Sequence, residues 1–180
     1  MGYAVELCFD PASEKKIREY WQILCNNELT KFLCELPGGR PHVSLAVYEQ
    51  VNVALLEEKL AYFVRNKSGF KLRFESMSTF PNDPSIVFLA PVMNSHLFQL
   101  HREYHELMDE FTCYERKYYL PEQWVPHCAL ATDIPREKVS EVYASLINVF
   151  QPFEVYVDEV ELGEFMPIKK IRNYCFYDTI

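Results

Sequence analysis

A chain of 180 residues that is 49% hydrophobic and 15% aromatic has enough apolar material for one folded domain with its own core, which excludes a disordered chain. Lys and Arg total 18 against 26 Asp and Glu, a formal net charge of -8. That is the wrong sign for gripping a long nucleic-acid duplex, where neutralised phosphates supply most of the affinity. A local basic cleft is compatible with this balance, so the charge favours a small or end-bound substrate.

The six cysteines (Cys8, Cys25, Cys34, Cys113, Cys128 and Cys175) form no CxxC pair, so neither a zinc site nor a thioredoxin-like motif is signalled. Most sit in apolar runs, where a free thiol behaves as a small hydrophobe. No run approaches the roughly 18 apolar residues of a membrane helix, and MGYAVELCFDPAS carries neither a basic leader nor a cleavage site. The expectation is a cytoplasmic monomer in a reducing compartment, with no membrane contact, no metal and no cofactor.

Residues 3–9 (YAVELCF) alternate as a strand. Residues 11–27 follow as a helix, with Pro and Ser at its start and Ile17, Tyr20, Trp21 and Leu24 at helical spacing. A loop with Pro37, Gly38 and Gly39 leads to a strand over 42–48 (HVSLAVY). Residues 53–66 read as a helix with Leu55, Leu56, Leu60 and Phe63 on one face, and 70–80 (FKLRFESMSTF) as a half-buried strand. After the turn Pro81-Asn82-Asp83-Pro84 the order begins again: strand 86–92, helix 95–112, strand 126–132, helix 136–150 and strand 153–165. A last strand, 171–177, closes the chain.

The spacings are those of a duplication. His127 follows His42 by 85 residues and Ile86 follows Tyr3 by 83, while Ile86 and Ile171 each follow their repeat's His by 44. PHVSLA (41–46) and PHCALA (126–131) share Pro, His, Leu and Ala. Two copies are too few for a solenoid. The expected architecture is α+β: a single bilobal domain of two similar βαβαβ lobes (about 1–81 and 82–180) across a central cleft, plus the terminal strand.

Strand alternation puts His42 and Ser44 on one face, as it does His127 and Ala129. Val43, Leu45, Cys128 and Leu130 then face the core. Two imidazoles suit phosphodiester hydrolysis without a metal. An unperturbed His titrates near pH ~6.5, so a neutral ring can take a proton from water while a charged one protonates the leaving oxygen. A hydroxyl such as that of Ser44 can donate to a non-bridging phosphoryl oxygen, where charge builds.

These motifs resemble the two-histidine (2H) phosphoesterases, which include bacterial and archaeal 2'-5' RNA ligase-like proteins and RNA 2',3'-cyclic phosphodiesterases. That family carries two motifs of His, any residue, then Thr or Ser, in a bilobal fold. The resemblance covers nearly the whole chain; STFPNDPSIVFLAPV (78–92) and WVPHCALA (124–131) look like the family's central strand-turn-strand and second motif. It implies that His42 and His127 are general acid and base, in an order left open, and that Ser44 binds phosphate. The implied activity is on a 2',3'-cyclic phosphate or 2'-5'-linked nucleotide or RNA end. Ala129 departs from the pattern, and losing one preorganised donor can cost about 10²–10³ in rate. The alternative is therefore a nucleotide- or RNA-end-binding protein with weakened or lost catalysis. Thr132, three positions on, falls on the other face of a regular strand and does not replace the missing hydroxyl.

His101 and His105 lie four apart, but Arg102 stands where a zincin has Glu, so they are expected on a solvated helix face. YERKYYLPEQW (114–124) mixes Arg116 and Lys117 with Tyr118, Tyr119 and Trp124. It reads equally as a base-stacking segment or as a loop anchored by buried rings. Lys169, Lys170 and Arg172 read as a solvated turn.

Overall fold

The computed structural model describes residues 2–165 and 167–177. β1 (Gly2–Phe9) leads into α1 (Pro11–Asn26), which starts where the Asp10 carboxylate accepts from the Ser13 N–H at 3.2 Å and Pro11 fills the first helical position. A four-residue helix, α2 (Phe32–Glu35), precedes the loop in which Gly38 takes a left-handed φ of 75°. Then come β2 (His42–Tyr48), α3 (Val53–Val64), β3 (Phe70–Thr79), β4 (Ser85–Pro91), α4 (Ser95–Leu107), β5 (Cys128–Ile134), α5 (Val139–Ile147), β6 (Phe153–Phe165) and β7 (Lys169–Cys175). Asn52 and Asn94 cap α3 and α4 through the N–H groups of Leu55 and Leu97.

Two expected helices are shorter than their apolar periodicity suggests. The 95–112 helix stops at Leu107, and the Phe111 N–H bonding back to the Met108 carbonyl tightens Asp109–Tyr114 into a 3₁₀ turn. The 136–150 helix opens with a 3₁₀ turn at Arg136–Lys138 and is α-helical only over α5. The strand expected at 126–132 begins at Cys128, so His127 stands at its threshold.

The seven strands pair antiparallel in the order β2-β1-β6-β3-β4-β5, with β7 joining β6 beyond the end of β3. The duplication is visible in this order: β1 lies between β2 and β6, and β4 lies between β5 and β3. The third strand of each repeat is thus exchanged, β3 pairing with β4 and β6 with β1. Helices cross in the same sense, α1 packing on α5 and α3 on α4. At the junction, Phe74 and Phe153 sit in register across β3 and β6 with ring centroids 5.6 Å apart, and Phe9 meets Phe74 edge-on at 6.0 Å. All three rings are buried, so the centre of the core belongs to both repeats at once.

β2 and β5 are the two ends of the strand order, yet they pack against each other. An edge strand leaves backbone groups unpaired, and each unpaired buried carbonyl costs about a hydrogen bond. Two indoles meet this need. The Trp21 Nε1–H donates to the Ala129 carbonyl at 2.9 Å, and the Trp124 Nε1–H donates to the Ser44 carbonyl at 3.0 Å. Each clamp joins one repeat's tryptophan to the other repeat's motif strand.

The two motif strands also share a defect. Register slips between Val5 and Glu6 against β2, and between Val87 and Phe88 against β5, leaving Leu45 and Leu130 as the extra residue of a β-bulge in each. These are the shared Leu of PHVSLA and PHCALA, and both are fully buried. Simple alternation therefore holds from His42 to Ser44 and from His127 to Ala129 but is interrupted immediately after. The parity that set Thr132 apart does not run through this strand; its hydroxyl is a buried atom with no hydrogen-bond partner.

Candidate active site

His42 opens β2, and His127 stands immediately before β5. In each ring Nδ1 lies 2.8 Å from the carbonyl two residues back, that of Arg40 for His42 and that of Val125 for His127. A carbonyl can only accept, so Nδ1 carries a proton in both rings and Nε2 is the nitrogen left for chemistry. β2 and β5 pack against each other, and His42 is close enough for its charge to disfavour a charge on His127. Val43, Leu45, Cys128 and Leu130 are fully buried, the core-facing set expected from alternation.

The surroundings of the two rings differ. Glu6 is in register with Ser44, and its Oε1 lies 3.3 Å from His42 Nε2. The matching residue of the second repeat is Phe88, in register with Ala129. Phe88 and Phe80 place their ring centroids 5.2 and 5.0 Å from that of His127. Burial holds His127 below the ordinary imidazole range; the Val125 carbonyl works against this, and the nearby His42 adds to it. Burial pushes the Glu6 carboxyl up, and the Glu161 carboxylate directly across from it adds to the rise, while His42 and Arg40 pull it back. One imidazole faces a carboxylate; the other faces hydrocarbon.

Arg40 orients His42 from behind. Its guanidinium is held by Glu14, Glu159 and Glu161, with 2.9 Å to the last. A side chain so clamped fixes the strand entry whose carbonyl carries the His42 ring. A cleft of about 660 Å³ opens beside it, lined by Arg18, Gly39, Glu161 and Lys170 among others. Cys8, Glu159 and Glu161 bring ligand-type atoms within 4.8 Å of one another. The Arg40 guanidinium bonds both carboxylates, and burial pushes the Cys8 thiol well up, so a cation there would have to displace the arginine. Of the C-terminal cations, Lys170 and Arg172 pair with Glu161 and Glu57 at 3.6 and 3.2 Å, and Lys169 is exposed opposite Glu164.

The expectation that His101 and His105 lie on a solvated face is overturned: they are 2% and 5% exposed. They occupy the same helix face as Leu97, Leu100 and Tyr104, and the core accepts their rings because each finds partners. His101 stacks on Trp124 with centroids 3.7 Å apart and planes 1° from parallel, and its ring nitrogen is 3.0 Å from that of His105. His105 Nε2 lies 3.3 Å from the Leu45 carbonyl, and its Nδ1 lies 3.3 Å from Glu115. Burial, then the neighbouring His105, lowers His101 to about 3; burial raises Glu115.

Segment 114–124 is anchored along β2 by these groups and by the Arg116 N–H donating to the Val47 carbonyl. Its turn Lys117–Tyr119 packs on β2. The histidine motifs single out His42, Ser44, His127 and Ala129; Glu6, Phe80 and Phe88, which neighbour the rings, lie outside them. The available signal was a single carboxylate interrupting the apolar run YAVELCF.

No functionally curated protein matches the chain by sequence. Among solved structures it is similar to Escherichia coli LigT complexed with 3'-AMP, at 13% identity over 98% of both chains with a TM-score of 0.63. A protein from Thermus thermophilus matches at 14% identity over 99% of both chains with a TM-score of 0.62. A protein described as a phosphoesterase matches at 15% over 98% of both, with a TM-score of 0.61. LigT has also been solved with NADP+, with phosphate and with ATP. At these identities the likeness is one of fold. The family model for the 2'-5' RNA ligase superfamily matches residues 9–165, most of the chain and both histidine motifs. The chain belongs to the 2'-5' RNA ligase superfamily, the two-histidine phosphoesterases.

Proposed function

We propose that the chain is a metal-independent phosphodiesterase acting on a 2',3'-cyclic phosphate or a 2'-5'-linked nucleotide or RNA end, and that it works as a single bilobal domain. The observation that carries this reading is the matched pair of imidazoles, each held by the same Nδ1–carbonyl bond of 2.8 Å, which leaves Nε2 as the nitrogen for chemistry. The small nucleotides held by LigT agree with a site for a nucleotide or RNA terminus.

The unequal surroundings suggest the order of proton transfers. His127 is kept neutral by burial, so its Nε2 takes a proton from the attacking water as oxygen bonds to phosphorus. The His42 imidazolium, with the Glu6 carboxylate 3.3 Å from its Nε2, gives its Nε2 proton to the ribose oxygen in place of Glu6 as the P–O bond breaks. The leaving oxygen departs as a hydroxyl and the product is a phosphomonoester; the two rings then exchange protons with solvent. Ser44 donates to a non-bridging oxygen, and the methyl of Ala129 leaves the second motif without that help.

The test is turnover of adenosine 2',3'-cyclic phosphate by wild type, His42→Ala and His127→Ala purified in parallel. Hydrolysis well above both variants is expected. Hydrolysis no faster than the variants contradicts the enzymatic reading. Calorimetric binding of the nucleotide with no turnover would then identify the binding-module alternative, which Ala129 alone favours.

A further inference from the structure

The carboxylates around His42 are unequally neutralised. Glu14, Glu159 and Glu161 share the Arg40 guanidinium, and Lys170 adds a second cation to Glu161 at 3.6 Å. Glu6 is in register with Glu161 on the neighbouring strand, yet among the described residues its one ionic partner is His42, with Oε1 3.3 Å from Nε2. The strands fix this pair, because β1 places Glu6 opposite Ser44, two residues along β2 from His42. Both side chains keep a path to solvent, 18% exposed for Glu6 and 35% for His42, so a ligand can reach them.

The consequence is one of charge. Beyond the proton that Nδ1 holds, a carboxyl and an imidazole sharing one further proton are neutral as a pair, wherever that proton sits. An imidazolium without Glu6 would present a full positive charge. A phosphoryl group addressed by Nε2 comes within a few ångströms of Oε1 and meets the neutral pair instead. A phosphodiester carries a single negative charge, whereas a phosphomonoester carries about −1.5 to −2 near pH 7. The monoester's extra charge finds no net cation at His42. Once the Nε2 proton has gone to the leaving oxygen, the new monoester faces the Glu6 carboxylate beside a neutral ring.

We propose that Glu6 is a specificity-determining residue that keeps the His42 side of the site neutral, so that the site takes singly charged phosphodiesters and rejects doubly charged phosphomonoesters, its own product among them. The inference rests on the phosphodiesterase reading of the two histidines. The carboxylate that accompanies the imidazolium before reaction repels the product after it.

The experiment measures calorimetric binding of 2'-deoxyadenosine 3'-monophosphate and of its methyl ester, at about pH 7.5, to wild type, Glu6→Gln and Glu6→Asp. The two ligands differ in phosphoryl charge, and neither has the 2'-hydroxyl needed to cyclise. The readout is the ratio of their dissociation constants, from which a general loss of packing cancels. Glu6→Gln should shift this ratio toward the monoester by at least about 5-fold, the effect of one unit charge about 4 Å away under full water screening. Glu6→Asp keeps the charge and should stay close to wild type. Glu6→Ala replaces the Gln variant if thermal melting shows that the latter does not fold.

An unchanged ratio once the charge is removed would overturn the proposal, even if both affinities fall together. A shift of equal size in Glu6→Asp would also overturn it, by assigning the effect to side-chain shape. Binding of neither ligand to any of the proteins would overturn it as well. Hydrolysis of adenosine 2',3'-cyclic phosphate, measured beside His42→Ala, reports on the underlying reading separately. Turnover with an unchanged ratio removes this proposal alone. A shifted ratio without turnover removes the phosphodiesterase reading and keeps Glu6 as the residue that sets which phosphoryl charge the site binds.

Discussion

The two motif strands began as copies and still agree in backbone, while their side-chain chemistry has separated. Both carry a histidine held through Nδ1, both bulge at a buried Leu, and both have the carbonyl two residues past the histidine capped by an indole. The parts that differ are the residues in register beside the histidines: Glu6 and Ser44 in one repeat, Phe88 and Ala129 in the other. Backbone bonds at these positions serve the fold, and a change in any of them would leave a buried carbonyl or N–H unpaired. Side chains beside the rings answer to chemistry, and acid and base require different surroundings.

The largest test of that comparison removes the rings themselves. His42→Ala and His127→Ala should each reduce kcat by about 10²–10⁴, the usual worth of a positioned acid or base. The double variant should be little worse than either single one, because the two act as a unit. Next in size is restoring the symmetry: Ala129→Ser should raise turnover by about 10-fold to 10²-fold, within the known worth of one oxyanion donor. No gain would show that the second strand's methyl group costs the site nothing.

A smaller effect concerns the apolar side. His127 must be neutral to act as base, and burial lowers its pKa, so the acid limb of the rate profile should lie below the ordinary imidazole value of about 6.5. Phe80→Ala admits water to the ring and should move this limb upward in kcat/KM profiles. An unmoved limb would separate the base from His127.

The smallest effect is on stability. His101 sits at about 3 when folded and near 6.5 when unfolded, so the unfolded chain binds the extra proton between those values. Stability is therefore full above pH ~6.5 and falls as pH drops, by up to about 1.4 kcal/mol per pH unit from this group. Glu115, whose folded pKa is raised, acts in the opposite sense just above its ordinary value of 4.5, so the clearest slope is expected near pH 6. Urea melts of His101→Gln should show a flatter dependence there than wild type.

The elements and their duplication were legible because apolar periodicity is local and each repeat keeps its spacing. The paired histidines were legible for the same reason: PHVSLA and PHCALA mark equivalent strand entries. The strand exchange was not, since nothing near Phe70 or Phe153 says which repeat each will pair with. The bulges at Leu45 and Leu130 were also hidden, because a bulge is a relation between two strands. His101 and His105 were misplaced because two imidazoles four apart look like a polar helix stripe. Their partners, Trp124, Leu45 and Glu115, come from elsewhere in the chain. Glu6 was visible as an odd carboxylate in an apolar strand, but its meaning depended on knowing that His42 Nε2 lies 3.3 Å from its carboxylate.

If the two Nε2 atoms address one phosphoryl group, a crystal structure with adenosine 3'-monophosphate will show it. Phosphorus is expected between the two imidazoles, with Ser44 on a non-bridging oxygen and no protein donor at Ala129. A phosphoryl group bound away from both rings, or contacting only one of them, would contradict it.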